Sequence, residues 1–453
     1  MRFSEFMIVP LLAAAVEARA CKAKRPTTAA FATTTVATST SPVAASTSPA
    51  VTSTAVAASS TVAGVSSASS AISSLSSSTS SASSTEAAYT STSAPPKPTT
   101  TSTPPSAPTT LTTAVSSSAK PTSAKPAPTS APYRAYPADV VDKLRDSSIA
   151  NLESFTKRNP SSCTLENASI RREWSDLSIA EREDYISAVQ CLQRLPPKTP
   201  SSVSPGARSR FDDFLTVHIQ QTPSIHNTAN FLGWHRYYVW QYEKALREEC
   251  GYKGFQPYWN WNREVADPTK SAMFNGNATS LSGNSPSSGA CVTSGPFKDM
   301  AVNLGPGASL KYNPRCLKRD ISASQAQACT ADKTLSLIKN SPTIGRFQDT
   351  MQGIPGVHAG GHFTIGGDPG SDIYSSAGDP AFYFHHAMID RVWWLWQLQD
   401  LETRLSAVDG NNGGRKGTVN DETNLGAVGG SVKLGDLLNT MGGKGGEFCY
   451  IYV

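Results

Sequence analysis

Residues 134–453 of this 453-residue chain predict a mainly α-helical domain with long loops and few short strands. Three observations lead to this prediction. Apolar residues recur at helical spacing in several segments, residues that favour helix starts precede two of them, and residues 266–311 are rich in Gly, Ser, Pro and Asn. Roughly 320 residues are enough for one domain with a substantial core.

The first 133 residues predict a different organisation. Residues 1–20 contain an early arginine, an apolar stretch from Phe6 to Val16 and a small-residue ending, which predict a secretory signal peptide cleaved before Cys21. That stretch is too short to span a bilayer, and no later stretch is long and apolar enough. Residues 21–133 consist mainly of Ser, Thr, Ala and Pro. We therefore expect a disordered stalk, either an O-glycosylated spacer in a cell wall or an inert tether.

The helix with the clearest start follows Ser178, which forms a capping box with Glu181. Pro196 and Pro197 end this helix. Its apolar residues lie on one side: Ile179, Ile186, Val189 and Leu192. Further helices are predicted at 138–157, 206–220 and 232–249.

A helix near the C-terminus is predicted to start at Asp379 and Pro380. An Asp side chain can accept from the free amides of a helix start, and proline has no amide to leave unpaired. The helix continues to about residues 397–401, and on it Phe382, His386 and Asp390 recur every four residues and share a face. We interpret the tryptophans of this helix and of 232–249 as core residues: Trp234, Trp240, Trp393, Trp394 and Trp396.

The charge and cysteine content narrow the class of protein. A formal net charge of +5 gives no argument for nucleic-acid or membrane partners. Eight cysteines without a C-x-x-C pattern predict three or four disulfides in an oxidising compartment, with the connectivity left open. Sequons at Asn167 and Asn277 agree with export, although such tripeptides also arise by chance.

Histidine gives the strongest indication of function, because all seven histidines lie after residue 217 and form two groups. His358 and His362 are four residues apart, so a helix would direct both imidazoles to one point, and His386 can complete that group. The other group contains His218, His226 and His235. Three neutral imidazoles in each group predict two metal ions, and zinc, copper, iron and nickel all suit such ligands.

The residues around these histidines resemble the two copper-binding signatures of the tyrosinase, catechol oxidase and hemocyanin superfamily. The segments that carry the resemblance are 231–246 (FLGWHRYYVWQYEKAL) and 379–397 (DPAFYFHHAMIDRVWWLWQ). It extends to the stretch 258–261, to the His358–His362 pair followed by 365–367, and to the end of the chain. The resemblance therefore covers residues 134–453 and implies a four-helix bundle around a dicopper centre.

Carried over position by position, the resemblance assigns three ligands to each copper. The first copper would be bound by His218, His226 and His235, and the second by His358, His362 and His386. His385 is left over, because neighbours on a helix diverge by about 100° and cannot both face one ion. We expect His385 either to contact a ligand or simply to fill the core.

Three further residues are candidates for contacts around the ligands. Phe382 and Phe231 each lie four residues before a ligand, so each can pack against a ligand ring. Asp390 could orient a ligand or pair with a nearby arginine. For Phe382 and Asp390, plain core packing or helix pairing is an equal alternative.

The residue after the first ligand of the second copper bears on the reaction. Family members that hydroxylate monophenols well often have Asn there, which holds a water together with an acidic residue. This chain has Ala359, and the stretch 346–357 offers Gln348, Asp349 and Gln352 but no Glu. Alanine can neither orient a base nor accept a proton, so oxidation of o-diphenols or o-aminophenols is favoured. The alternative is that Asp349 or a backbone group positions the water.

Two other features distinguish this chain within the superfamily. Many fungal and plant relatives bond a cysteine to a histidine of the first copper, but this chain has Ser224 at that position, so we expect no thioether crosslink. Tyr450 and Tyr452 resemble the Tyr-x-Tyr element that closes the catalytic domain in tyrosinases. Because the chain stops one residue later, we expect no lid domain over the site.

The sequence therefore predicts a secreted type-3 copper oxidase that converts o-diphenols or o-aminophenols to o-quinones, with two copper ions and dioxygen. Its partners are a small phenol and dioxygen, and the stalk suggests association with a cell wall. One alternative is a tyrosinase that hydroxylates monophenols. Another is a reversible dioxygen carrier like the hemocyanins, against which a single secreted domain on a stalk argues.

Overall fold

The structure, a computed structural model, describes residues 134–453, in which ten α-helices are the main regular elements and long loops connect them. The signal peptide and stalk predicted for residues 1–133 lie outside the described residues. The helices are α1 (Val140–Arg158), α2 (Ile179–Arg194), α3 (Arg210–Ile225), α4 (Phe231–Cys250), α5 (Ala323–Ala326), α6 (Ala331–Asn340), α7 (Ile344–Gln352), α8 (Val357–Ile365), α9 (Ala381–Gln397) and α10 (Leu401–Arg404). The prediction of a mainly helical domain is confirmed.

The predicted helix boundaries agree with the structure to within a few residues, except at α3. The capping box of α2 is present, with the Ser178 side chain accepting from the Glu181 amide. The helix predicted at 206–220 begins and ends later, because Ser209 caps its start and α3 continues past Pro223 to Ile225. At α9 the Asp379 carboxylate accepts from the Ala381 amide, and Pro380 already has helical backbone angles.

Two residues predicted to be buried are not. Ile179 is the first residue of α2 and is exposed, because the buried face of this helix begins only at Tyr185. Trp240 is half-buried at the edge of the core, where it packs against Phe448. The other four tryptophans interpreted as core residues are buried.

The strands are short, as predicted, and they pair two by two. Residues 169–171 and 450–452 form the one parallel pair in the described part of the chain, with Arg171 opposite Tyr452. The remaining pairs are antiparallel. The strands are β1 (Ser169–Arg171), β2 (Ala301–Val302), β3 (Arg315–Cys316), β4 (Asn411–Asn412), β5 (Arg415–Lys416), β6 (Glu422–Asn424), β7 (Ser431–Lys433) and β8 (Tyr450–Tyr452).

Helix α9 is the centre of the core, since every one of its residues is buried. It packs against α4 and α8, and α4 in turn contacts α3. These four helices carry the histidines, with His226 just beyond the last residue of α3. No described helix has both the length and the apolar character needed to span a membrane.

Three disulfides connect the described cysteines: Cys163–Cys449, Cys191–Cys250 and Cys291–Cys316. Three disulfides lie within the three or four that the sequence predicts. Cys329 is buried without a disulfide, and burial raises the pKa of its thiol to about 12. Its sulfur lies 3.4 Å from the Val357 carbonyl at the start of α8.

Candidate metal centre

The first histidine group lies where α3 ends and α4 begins. The ring centroid of His218 is 5.4 Å from that of His226 and 5.9 Å from that of His235. Each ring donates Nδ1–H to a backbone carbonyl: His218 to Tyr374 at 2.8 Å, His226 to Thr222 at 3.0 Å and His235 to Phe231 at 2.8 Å. These bonds fix the tautomer, so Nε2 of each ring is left to bind a metal.

The second group combines α8 with α9. His358 and His362 are one turn apart on α8, with ring centroids separated by 4.8 Å. The centroid of His386 lies 5.4 Å and 5.2 Å from these two rings, and its Nε2 is 3.2 Å from Nε2 of His362. The predicted helix that directs two imidazoles to one point is therefore present.

The two groups face each other across a short distance. The rings of His235 and His386 stack at 4.3 Å, with planes 11° apart, and His226 lies 5.8 Å from His358. Ligand atoms within each group lie within 4.8 Å of one another. Two metal ions held by these groups would be close enough to share one small ligand.

His385 lies nearer to the second group than the sequence predicted. Its ring is 4.5 Å from His362 and 5.7 Å from His358, so a nitrogen of His385 belongs to the same group of atoms within 4.8 Å. The expected divergence of about 100° between helix neighbours therefore does not keep this ring away. His385 is fully buried against Trp261, and its role as a non-ligand stays a prediction.

The donor atoms fit a metal centre. Several buried ring nitrogens have no hydrogen-bond partner within the described residues, namely Nε2 of His218, His235 and His358, Nδ1 of His386 and both nitrogens of His385. Unpaired buried polar atoms are costly, and metal ligation would satisfy Nε2 of His218, His235 and His358. Burial lowers the pKa of all seven histidines, that of His362 to about 3, so the rings are neutral, as ligation requires.

Phe382 and Phe231 lie at the interface of the two groups. The ring of Phe382 is 4.2 Å from His386 and 4.9 Å from His218. The ring of Phe231 is 4.8 Å from His358 and 5.0 Å from His235. Each phenylalanine therefore contacts both groups, where the sequence suggested contact with a single ligand. Together they form apolar walls that exclude water from the space between the groups.

Asp390 pairs with arginines, which was one of the two alternatives. Its carboxylate accepts from Arg236 at 2.6 Å and Arg171 at 3.4 Å, and from the hydroxyls of Tyr450 at 2.9 Å and Tyr452 at 2.6 Å. These partners come from α4, β1 and β8. Asp390 therefore fixes α9, and with it His386, to three other elements.

Two acidic residues hold elements of the site through contacts that the sequence did not predict. Asp379 not only caps α9 but also binds the buried Arg319 through two hydrogen bonds of 2.7 and 2.8 Å. Asp372 accepts from the amides of Gly307 at 2.6 Å and Tyr374 at 2.8 Å, and so holds the loop whose carbonyl orients His218. An Asp that binds the amide two residues ahead is a turn signal readable in the sequence.

A cavity of about 170 Å³ opens beside the histidines, and His226, His358 and His362 form part of its lining. Ala359 and Phe363 also line it. The described lining residues fall within 226–227 and 352–376, so the stretch 266–311, expected to form loops around the site, contributes none of them. That stretch is nevertheless mainly loop, as predicted.

Position 224 agrees with the expectation of no thioether crosslink. Ser224 is exposed and donates to the Gln221 carbonyl at 2.9 Å. Cys329 is the one free cysteine among the described residues, and its sulfur contacts α8 rather than α3.

Comparison with known proteins places this site in a family. The family model described as the common central domain of tyrosinase matches residues 208–399. Tyrosinase-like protein orsC of Emericella nidulans is 40% identical over 294 residues, which are 55% of this chain and 79% of that protein. N-acetyl-6-hydroxytryptophan oxidase ivoB of the same organism is 35% identical over 349 residues, 64% of this chain and 93% of that protein.

The fold is similar to that of a solved polyphenol oxidase, a mutant of the enzyme from Thermothelomyces thermophila. That structure has a TM-score of 0.65 and 37% sequence identity, and the match covers 69% of this chain and 97% of the other. The matched family model spans all seven histidines, and their two all-imidazole groups fit a type-3 dicopper centre. The chain therefore belongs to the tyrosinase family of copper-containing oxidases.

Proposed function

We propose that this protein oxidises o-diphenols, or the related o-aminophenols, to o-quinones with dioxygen. The first copper is bound by His218, His226 and His235, and the second by His358, His362 and His386. When bound, the copper pair supplies the binding of dioxygen and the acceptance of electrons from the phenol. Two o-diphenols together give up four electrons and four protons, which reduce one dioxygen to two waters.

The protein's own part is to hold the ligands and to exclude water. The carbonyls of Tyr374, Thr222 and Phe231 orient the three rings of the first group through their Nδ1–H atoms. Phe231 and Phe382 keep the space between the groups apolar. Neutral imidazoles support both oxidation states of copper without adding charge.

The observation that carries the preference for diphenols is the environment of Ala359. Asp349, the acidic alternative suggested by the sequence, is exposed and not part of the cavity lining. The side-chain oxygen of Gln352 accepts from the Asn227 amide at 2.7 Å. Asp372 is the only carboxylate among the described lining residues, and both of its oxygens accept from backbone amides. Each of these groups is either outside the cavity lining or already accepts from backbone amides, which makes it a weaker proton acceptor for a monophenol.

Oxygen consumption by the copper-loaded full-length chain tests this proposal. We expect uptake with 4-tert-butylcatechol, little or none with L-tyrosine, and loss of uptake in a His386→Ala control. Sustained uptake with L-tyrosine would show monophenol hydroxylation and contradict the argument from Ala359. Reversible oxygen binding without turnover of either phenol would point to a carrier.

We further propose that the protein is exported. Three disulfides suit an oxidising compartment, and the sequon residues Asn167 and Asn277 are both exposed, as glycosylation requires. A Ser/Thr-rich stalk at 21–133 would then connect the oxidase to a cell wall. Sequencing the N-terminus of protein collected from culture medium tests the proposal, with a start at Cys21 expected and an intact Met1 contradicting it.

A further inference from the structure

Two exposed isoleucines flank the cavity beside the histidines. Ile354 is 80% exposed and Ile373 is 52% exposed, and both belong to the cavity lining. Only seven large apolar side chains are exposed among the described residues, and two of them meet at this one opening. Apolar side chains that cluster at the mouth of a cavity indicate a binding surface.

Both isoleucines are held by tightly built loops. Ile354 lies in the turn between α7 and α8, where a Cβ on Gly356 would lie 2.5 Å from the carbonyl oxygens of Gly353 and Met351. Ile373 lies between Asp372, which binds the Gly307 amide, and Tyr374, whose carbonyl accepts from His218. Since the backbone that carries these side chains is already positioned, a ligand that packs between them need not order the loops.

The lining of the opening also carries an acidic but no cationic side chain among the described residues. Asp372 contributes a carboxylate, and the lining residues, all within the described part of the chain, include no lysine or arginine. Between the isoleucines and the histidines the lining continues with Phe363 and Ala359. The copper ions would lie at the histidine end of the cavity, so a carboxylate on the far end of the phenol's substituent would approach Asp372 without a lysine or arginine in the lining to compensate it.

We propose that Ile354 and Ile373 determine substrate specificity, and that the preferred substrate is an o-diphenol or o-aminophenol with an uncharged apolar substituent. The phenolic hydroxyls face the histidines while the substituent packs between the two isoleucines. This inference rests on the proposed function, because that function places a phenol in the cavity.

A pair of substrates that differ only in apolar length tests the proposal. We expect the wild-type protein to show kcat/KM for 4-butylcatechol roughly tenfold above that for 4-methylcatechol, because three methylene groups leave water. Ile354→Ala and Ile373→Ala should each reduce this ratio severalfold, mainly through a higher KM for 4-butylcatechol. Ile179→Ala, at another exposed isoleucine, should leave the ratio unchanged. An unchanged ratio in both Ile354→Ala and Ile373→Ala would overturn the proposal.

Binding without turnover separates this inference from the proposed function. In calorimetry without oxygen, 4-butylresorcinol should bind the wild-type protein several times more tightly than resorcinol, and the difference should shrink in Ile354→Ala. If catechols are not oxidised but this difference in affinity holds, the proposed function fails, and the role of Ile354 and Ile373 in binding the substituent is retained. If catechols are oxidised and the two resorcinols bind equally, only the proposal about Ile354 and Ile373 fails.

The charge of the opening has its own test. 3-(3,4-Dihydroxyphenyl)propanamide and the corresponding propanoic acid differ in charge but hardly in size. We expect a higher kcat/KM for the amide, with a difference that shrinks as salt screens the carboxylate of Asp372. Equal values at low salt would overturn the role assigned to charge.

Discussion

His385 and His386 are neighbours on α9, equally buried, and differ in what surrounds them. Nε2 of His386 faces Nε2 of His362 at 3.2 Å, whereas the ring of His385 lies against Gly361 and Trp261. We expect His386→Ala to lower the copper content by about one ion per chain, and His385→Ala to keep about two ions. Copper stoichiometry after dialysis, with circular dichroism to confirm folding, checks this. Equal loss in the two variants would make His385 a ligand.

At the scale of single residues, the sequence identified the metal-binding type of side chain but not its support. Histidine is rare in this chain, so its two groups are easily recognised, and His358 and His362 also have helical spacing. Phe382 and Phe231 were recognised because each lies four residues before a ligand. The acceptor for His218 is a backbone carbonyl 156 residues away, at Tyr374. Such a bond depends on the path of a loop and not on the identity of a side chain, so no sequence pattern predicts it.

Helix α8 needs a glycine where it meets α9. A Cβ on Gly361 would lie 2.2 Å from Cε1 of His385, and both residues belong to packed helices that cannot easily separate. Overpacking here costs about 1–3 kcal/mol, and alanine gains roughly 1 kcal/mol over glycine in a helix. We therefore expect Gly361→Ala to destabilise the protein by up to about 2 kcal/mol.

A double-mutant cycle isolates this contact. In a His385→Ala background the ring is gone, so Gly361→Ala should become neutral or slightly stabilising in denaturant unfolding of the full-length protein. If Gly361→Ala costs as much without the ring as with it, the glycine is required by α8 itself and not by its packing on α9.

At the scale of helices, the presence of each helix was easier to predict than the residues at which it begins and ends. The start predicted at 206 was four residues early because Ser209 and Asp212 form a capping box with Asp in place of the usual Glu. The Asp212 carboxylate also accepts from the amide of Arg208 and the side chain of Asn303. The last of these contacts is tertiary, so the boundary of α3 depends partly on a loop distant in the sequence.

At the scale of the whole molecule, an early strand of the described chain pairs with its last strand. β1 and β8 pair in parallel, and Arg171, Tyr450 and Tyr452 converge on Asp390. The sequence singled out Tyr450 and Tyr452 through their resemblance to a Tyr-x-Tyr element but did not identify β1 as the partner strand, because strands of three residues carry too little periodicity to identify each other. The disulfide Cys163–Cys449 connects the same two regions.

The three disulfides close loops of very different length, with sequence separations of 286, 59 and 25 residues. If they act by restricting the unfolded chain, stabilisation grows only with the logarithm of loop length, to about 5.6, about 4.3 and about 3.5 kcal/mol. We therefore expect the pair variant Cys163→Ala/Cys449→Ala to lose the most free energy of unfolding, but only about 2 kcal/mol more than Cys291→Ala/Cys316→Ala.

Guanidinium unfolding of the three pair variants, each changed to alanine so that they match, measures this order. The β1–β8 pairing and the Asp390 network remain in Cys163→Ala/Cys449→Ala, so its native state should stay folded and the comparison remain valid. If Cys291→Ala/Cys316→Ala lost the most instead, its disulfide would stabilise the native β2–β3 region directly. Loop-closure entropy would then not be the main way in which disulfides stabilise this fold.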